Sequence, residues 1–138
     1  MGSWEHFEHE ADIGVRGYGH NMAEAFEQAA LAMTAIITEP GSIRPESMIG
    51  LSRFELDPEL LFVDWLNAIV YEMSTRHMLF CRFELRIEEG HLEAQLFGEI
   101  IDPQRHEPAV EVKGATYTEL RVAETGDGGW LAQCVVDV

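Results

Sequence analysis

The sequence predicts an α+β fold, with two helices packed on an antiparallel or mixed sheet as one two-layer domain over residues 1–138. Three observations lead there. Two stretches carry apolar residues at helical spacing, four segments alternate in pairs around glycine-bearing turns, and the composition is 46% apolar and 25% charged. A chain of 138 residues is long enough to bury a real core.

Residues 4–9 and 12–17 read as short strands. The second is unusual, because Asp12 is followed by Gly14, Gly17 and Gly19. Glycine weakens a strand unless the chain bends or something approaches closely. Asn21 is a helix cap with Glu24 as capping-box partner, and Met22, Phe26, Ala29, Ala30, Met33 and Ile37 then recur at helical spacing. Glu39-Pro40-Gly41 stops that run. Residues 48–55 are a further strand candidate. Asp57 caps the second helix and Pro58 suits its first turn. Leu61, Phe62, Trp65, Leu66, Ile69, Val70 and Met73 give that helix a wide buried face.

Leu79, Cys81, Phe83, Leu85 and Ile87 alternate with Phe80, Arg82, Glu84, Arg86 and Glu88 until Glu89-Gly90 turns the chain into Leu92, Ala94 and Leu96, which makes a hairpin. A short strand is expected at 109–114. A second hairpin joins Thr118–Glu124 to Trp130–Val136 through GDGG at 126–129. The last strand is strongly apolar, so it belongs inside the sheet and fixes its own terminus.

Nine Lys+Arg against 25 Asp+Glu give a net charge of −16. A polyanion with scattered basic residues repels phosphate backbones, so direct nucleic-acid binding is not expected. A cation or a basic protein would be attracted instead. No apolar run approaches the ~20 residues of a membrane span, and MGSWEHFEHE is unlike a signal peptide. A cytoplasmic location follows as the expectation. Cys81 and Cys134 lack CxxC spacing and sit among apolar residues, which suits buried reduced thiols.

No nucleophile elbow, phosphate loop or activated cysteine is present, so the sequence does not read as an enzyme. GYGHNM lacks the full glycine fingerprint. His6 and His9 are three apart on a strand and face opposite sides, which rules out one shared zinc ion. His106 in DPQRHEP reads as a loop residue that orients its neighbours. The two chain ends offer more. If the N-terminal strand lies beside the last one, Asp12 can meet Asp137 and the terminal carboxylate of Val138. Three carboxylates around one point repel unless a cation sits there, and all-oxygen ligands suit Ca²⁺, Mg²⁺ or Mn²⁺. Lys113 is the only lysine, and it can pair with an acid or with a partner's phosphate or carboxylate.

These residues resemble the archease family along nearly the whole chain. The resemblance rests on Phe7 with His9-Glu10-Ala11-Asp12-Ile13-Gly14, Gly19 to Phe26, LLFVDWLNAIVYE, Gly98-Glu99 and Asp102-Pro103. It continues through His106-Glu107-Pro108, Lys113-Gly114-Ala115-Thr116-Tyr117 and Val136-Asp137-Val138. It implies an SHS2-like archease fold and a metal site at Asp12, Asp137 and Val138, with calcium as the first expectation and Mg²⁺ or Mn²⁺ as alternatives. His9 and Lys113 are the partner-binding candidates. The glycines after Asp12 are then expected to let the chain bend toward the ion. The implied role is that of a non-catalytic activator of an RtcB-type tRNA-splicing RNA ligase, promoting its guanylylation and multiple turnover. The alternative is a chaperone-like modulator of a tRNA cytosine methyltransferase. Glu10 stands where the family usually has Thr, and Thr118 where some members have His.

Overall fold

Asn21 and Asp57 start the two long helices, as their side chains predict. In a computed structural model, which describes residues 2–138, helix α1 spans Met22–Ile37 and helix α2 spans Pro58–Arg76. The Asn21 side chain accepts the Glu24 amide at 2.8 Å, and Asp57 accepts the amides of Glu59 and Leu60. Glu24 reaches back one residue further than a standard capping box, to the amide of His20 at 2.7 Å. Thr38 closes α1, and His77, in left-handed conformation, closes α2.

The strands are β1 (Ser3–His9), β2 (Asp12–Gly19), β3 (Ser47–Phe54), β4 (Met78–Glu88), β5 (His91–Ile100), β6 (Gly114–Ala115), β7 (Arg121–Glu124) and β8 (Trp130–Asp137). A short helix α3 (Pro103–His106) follows β5. All pairings among the described residues are antiparallel. They form two sheets rather than one: β1-β2-β8-β6 with β7 also on β8, and β3-β5-β4. Helix α1 packs against strands of both sheets, β2 and β8 in one and β4 in the other. The fold class is the α+β class that the sequence predicts.

The core joins the layers. The Phe26 and Phe62 rings meet across the two helices at 5.0 Å, tilted by 58°, and Trp65 meets Phe83 of β4 edge-on at 5.9 Å. The buried Trp65 indole N–H donates to the Phe26 carbonyl at 3.0 Å, so this large side chain is satisfied as well as packed. Cys134 is fully buried, and burial pushes its thiol up to about 12. Both cysteines are free, as expected, but only Cys134 is buried; Cys81 is half-buried. No described helix is long and apolar enough to cross a membrane.

Two further expectations about the elements change. The strand expected at 109–114 is reduced to Gly114–Ala115. Pro108 has no N–H to give a ladder, and the stretch before β6 is held instead by the Ala109 amide on Ile37 and the Lys113 amide on Asp137. The glycines of β2 do not bend it toward anything, because its pairing with β1 runs in unbroken register from Tyr18 to Asp12. They admit neighbours. A Cβ on Gly17 would lie 2.2 Å from the Ala25 carbonyl oxygen of α1, and one on Gly14 would lie 2.3 Å from the Phe7 ring.

Candidate metal centre

The β1–β2 hairpin turns through Glu10 and Ala11, with Glu10 at φ 55°. That tight turn pairs His9 directly with Asp12. On its other side β2 pairs with β8 up to Ile13↔Val136, and the next step of the same register faces Asp12 with Asp137. Asp137 then pairs with Gly114 of β6, and its carbonyl accepts the Lys113 amide at 2.8 Å. Directly paired residues share a face of a sheet. His9 is thus paired with Asp12, and the β2–β8 register continued one step sets Asp12 opposite Asp137, whose partner on the far side is Gly114, with Lys113 one residue off this row.

The terminus is held, as the apolar last strand predicts. β8 has β2 on one side and β6 and β7 on the other, and Val138 packs against the core. Asp137 is exposed and Asp12 is half-buried. Like charges directly opposite on a sheet are destabilising. Among the described residues neither aspartate has an ion pair or a side-chain hydrogen bond to offset this. Nor do three His, Cys, Asp or Glu side chains gather at metal-binding spacing among those residues. The row supplies two acidic side chains, and a third oxygen donor would have to be the Val138 carboxylate. A donor set of oxygens alone, carrying uncompensated negative charge, matches hard cations.

His6, the other N-terminal histidine, is committed elsewhere: its Nε2–H donates to the Ala32 carbonyl of α1 at 2.7 Å. That agrees with rejecting a zinc pair. His106 does orient its neighbours, but as the buried last residue of helix α3 rather than as a loop residue. Its Nδ1 accepts the Asp102 amide at 2.9 Å, which places the ring proton on Nε2, where it donates to Glu99 at 2.9 Å. Glu99 also accepts from Arg105 at 2.5 Å and from the Arg44 amide at 2.7 Å.

Sequence reasoning missed this Glu99 cluster as a unit. Asp102 followed by Pro103, a cap with proline at the first helical position, was the available signal. The cluster anchors the start of the segment that delivers Lys113 to Asp137. The Arg105 guanidinium, with the Arg44 amide and His106, holds the Glu99 carboxyl down at about 2 against burial. A carboxylate depressed from its ordinary 4.5 stabilises the fold fully above that pH, and the contribution is lost as pH falls toward 2. Acid unfolding followed by near-ultraviolet circular dichroism should show this loss in wild type. In Glu99→Gln the stability should be lower at neutral pH and change less between pH 4.5 and 2.

This is the frame of a small α+β domain that presents an acidic strand end at its surface. The chain belongs to the archease family. The model of the Archease protein family (MTH1598/TM1083) matches residues 4–138. The chain is 37% identical to the protein archease of Pyrococcus furiosus, with all of both chains covered. It is 38% identical to that of Methanosarcina acetivorans, over 98% of this chain and 95% of the relative. The solution structure of Methanobacterium thermoautotrophicum protein 1598 superposes with a TM-score of 0.85 at 29% identity, covering 99% of each chain.

Proposed function

We propose that this protein is a non-catalytic activator of an RtcB-type RNA ligase in tRNA splicing or RNA repair. It promotes guanylylation and multiple turnover of the ligase, and Asp12, Asp137 and the Val138 carboxylate hold a divalent cation, calcium before magnesium or manganese. The observation that carries this reading is the row of His9, Asp12 and Asp137, in which two unneutralised aspartates face each other at a held chain end. When bound, the cation supplies the positive charge that the aspartates lack. His9, paired with Asp12, and Lys113, whose amide is held by the Asp137 carbonyl, are the groups that would meet the partner's surface. The net charge of −16 supports approach to a basic RNA-processing enzyme without competition for its RNA.

The test is ligation of 3′-phosphate or 2′,3′-cyclic phosphate RNA to 5′-hydroxyl RNA by the organism's own ligase, with RNA in excess over enzyme. Added protein is expected to convert a single turnover into many and to raise the fraction of guanylylated ligase. Unchanged turnover would sink the ligase reading and leave the tRNA cytosine methyltransferase as the partner to assay.

A further inference from the structure

Three strand amides among the described residues are taken by helix side chains instead of by a neighbouring strand. Glu27 of α1 accepts from Leu85 of β4 at 2.8 Å, Glu59 of α2 accepts from Val122 of β7 at 3.2 Å, and Asn67 of α2 accepts from Ala115 of β6 at 2.8 Å. Each of these strands pairs on one side only, so each side chain closes a free edge. A carboxylate is the stronger acceptor for an amide, and the chain has 25 acidic residues. At β6 alone of the three, the acceptor is neutral.

β6 is also the strand on which Asp137 depends. β2 pairs with β8 only as far as Ile13↔Val136, so the strand partner of Asp137 is Gly114, and its carbonyl accepts the Lys113 amide. The β6–β8 pairing is two residues long, which is weak support by itself. Asn67 ties the other edge of β6. It stands between buried Leu66 and buried Ala68, so the core fixes its backbone while its side chain stays at the surface. Asparagine suits caps and turns better than a helix interior, and its presence here points to the bond it makes. Gly114 admits that bond: a Cβ there would lie 3.1 Å from the Asn67 Oδ1, tighter than ordinary packing.

We infer that Asn67 is a positioning residue for the candidate metal centre: it holds β6 in place, and β6 holds Asp137. This rests on the metal reading of Asp12 and Asp137 proposed above. The neutral acceptor follows from the same reading. A carboxylate at position 67 would make the same bond, but it would add negative charge near two aspartates that already face each other. Asparagine fixes the strand without that repulsion.

Two variants of nearly the same shape test this. Asn67→Leu loses the acceptor without changing charge, and Asn67→Asp keeps the acceptor and adds a charge. Titration with calcium chloride by calorimetry gives the affinity. Hydrogen exchange of the Lys113 amide, measured by NMR on metal-free protein, reports whether β6 stays on Asp137. Circular dichroism confirms that each variant is folded at the assay temperature, where calcium affinity reports the site and not global stability. Asn67→Leu should weaken calcium binding about tenfold, as loss of an outer support does. It should also speed exchange at Lys113 about tenfold through local opening. Asn67→Asp should keep Lys113 protected and bind calcium at least as tightly as wild type, with any gain from the added charge screened out at high salt. Wild-type affinity or wild-type Lys113 exchange in Asn67→Leu overturns the inference, and so does equal weakening in both variants. A wild type that binds no calcium defeats the metal reading itself, and the inference falls with it.

Discussion

Asp12→Asn is expected to abolish stimulation of ligation while leaving the protein folded and, in the absence of metal, slightly more stable. The signs differ for a physical reason. Asp12 faces Asp137 across the β2–β8 register, and among the described residues no cation relieves the pair. Removing one charge removes that repulsion, worth about 0.5 kcal/mol between partly exposed groups. On the proposed reading the same change removes a charged oxygen ligand, and loss of calcium affinity by about 100-fold or more is expected, beyond what weakening an outer support costs. Three measurements separate the possibilities: calcium titration by calorimetry, melting temperature with and without calcium, and ligation at RNA excess. Wild type should bind calcium and melt higher in its presence, and Asp12→Asn and Asp137→Asn should do neither. A variant that binds no calcium yet stimulates fully would separate the activator role from the metal site. Equal calcium binding by wild type and both variants would show that the aspartates are not ligands.

Much of this site was legible because it depends on counting along strands. Asp12 and Asp137 lie near the ends of segments whose apolar alternation is plain, and an apolar last strand must be internal. The resemblance to archeases then selected these two aspartates from 25 acidic residues. The helices were legible through Asn21 and Asp57, whose side chains form the expected caps. The division into two sheets was not, because strand alternation does not record which strands a helix will separate. Glu99 was hidden for a similar reason. Leu92, Ala94 and Leu96 are buried and Glu93 and Gln95 exposed, so the period of two assigns Glu99 to solvent. It is buried by contacts outside the sheet, under Arg105, His106 and the Arg44 backbone. The glycines of β2 point the same way. Their positions were visible, but that they admit Phe7 and α1 depends on packing between elements.

Gly98→Ala is expected to destabilise the fold more than any other single methyl added to a β-strand. β5 pairs with β4 in one register from Glu88↔His91 to Arg82↔Phe97 and in a shifted register beyond Phe80↔Gly98, so Cys81 is an extra residue on β4. An inserted residue of this kind bends its strand and brings backbone out of line. Here it presses the Leu79–Phe80 backbone onto Gly98. A Cβ there would lie 1.9 Å from the Leu79 carbonyl oxygen and 2.8 Å from Phe80 Cα. A flexible side chain could move aside, but these are main-chain atoms beside buried Leu79 and Phe80. Relief requires the two strands to separate or the register shift to move. About 3 kcal/mol or more is the expected cost, at the upper end of overpacking, and a large share of the ~5–15 kcal/mol that stabilises a domain. Damage should also reach beyond the strand, because the next residue is Glu99. If β5 shifts, Glu99 leaves Arg105 and His106, and the segment that carries Lys113 to Asp137 loses its anchor. Urea unfolding measures the first effect. Hydrogen exchange at the Ala109 and Lys113 amides measures the second, and both amides should lose protection. A variant as stable as wild type would mean that the register shift at Cys81 is not fixed by Gly98. Lost stability with full protection at Lys113 would mean that Glu99 does not anchor the segment.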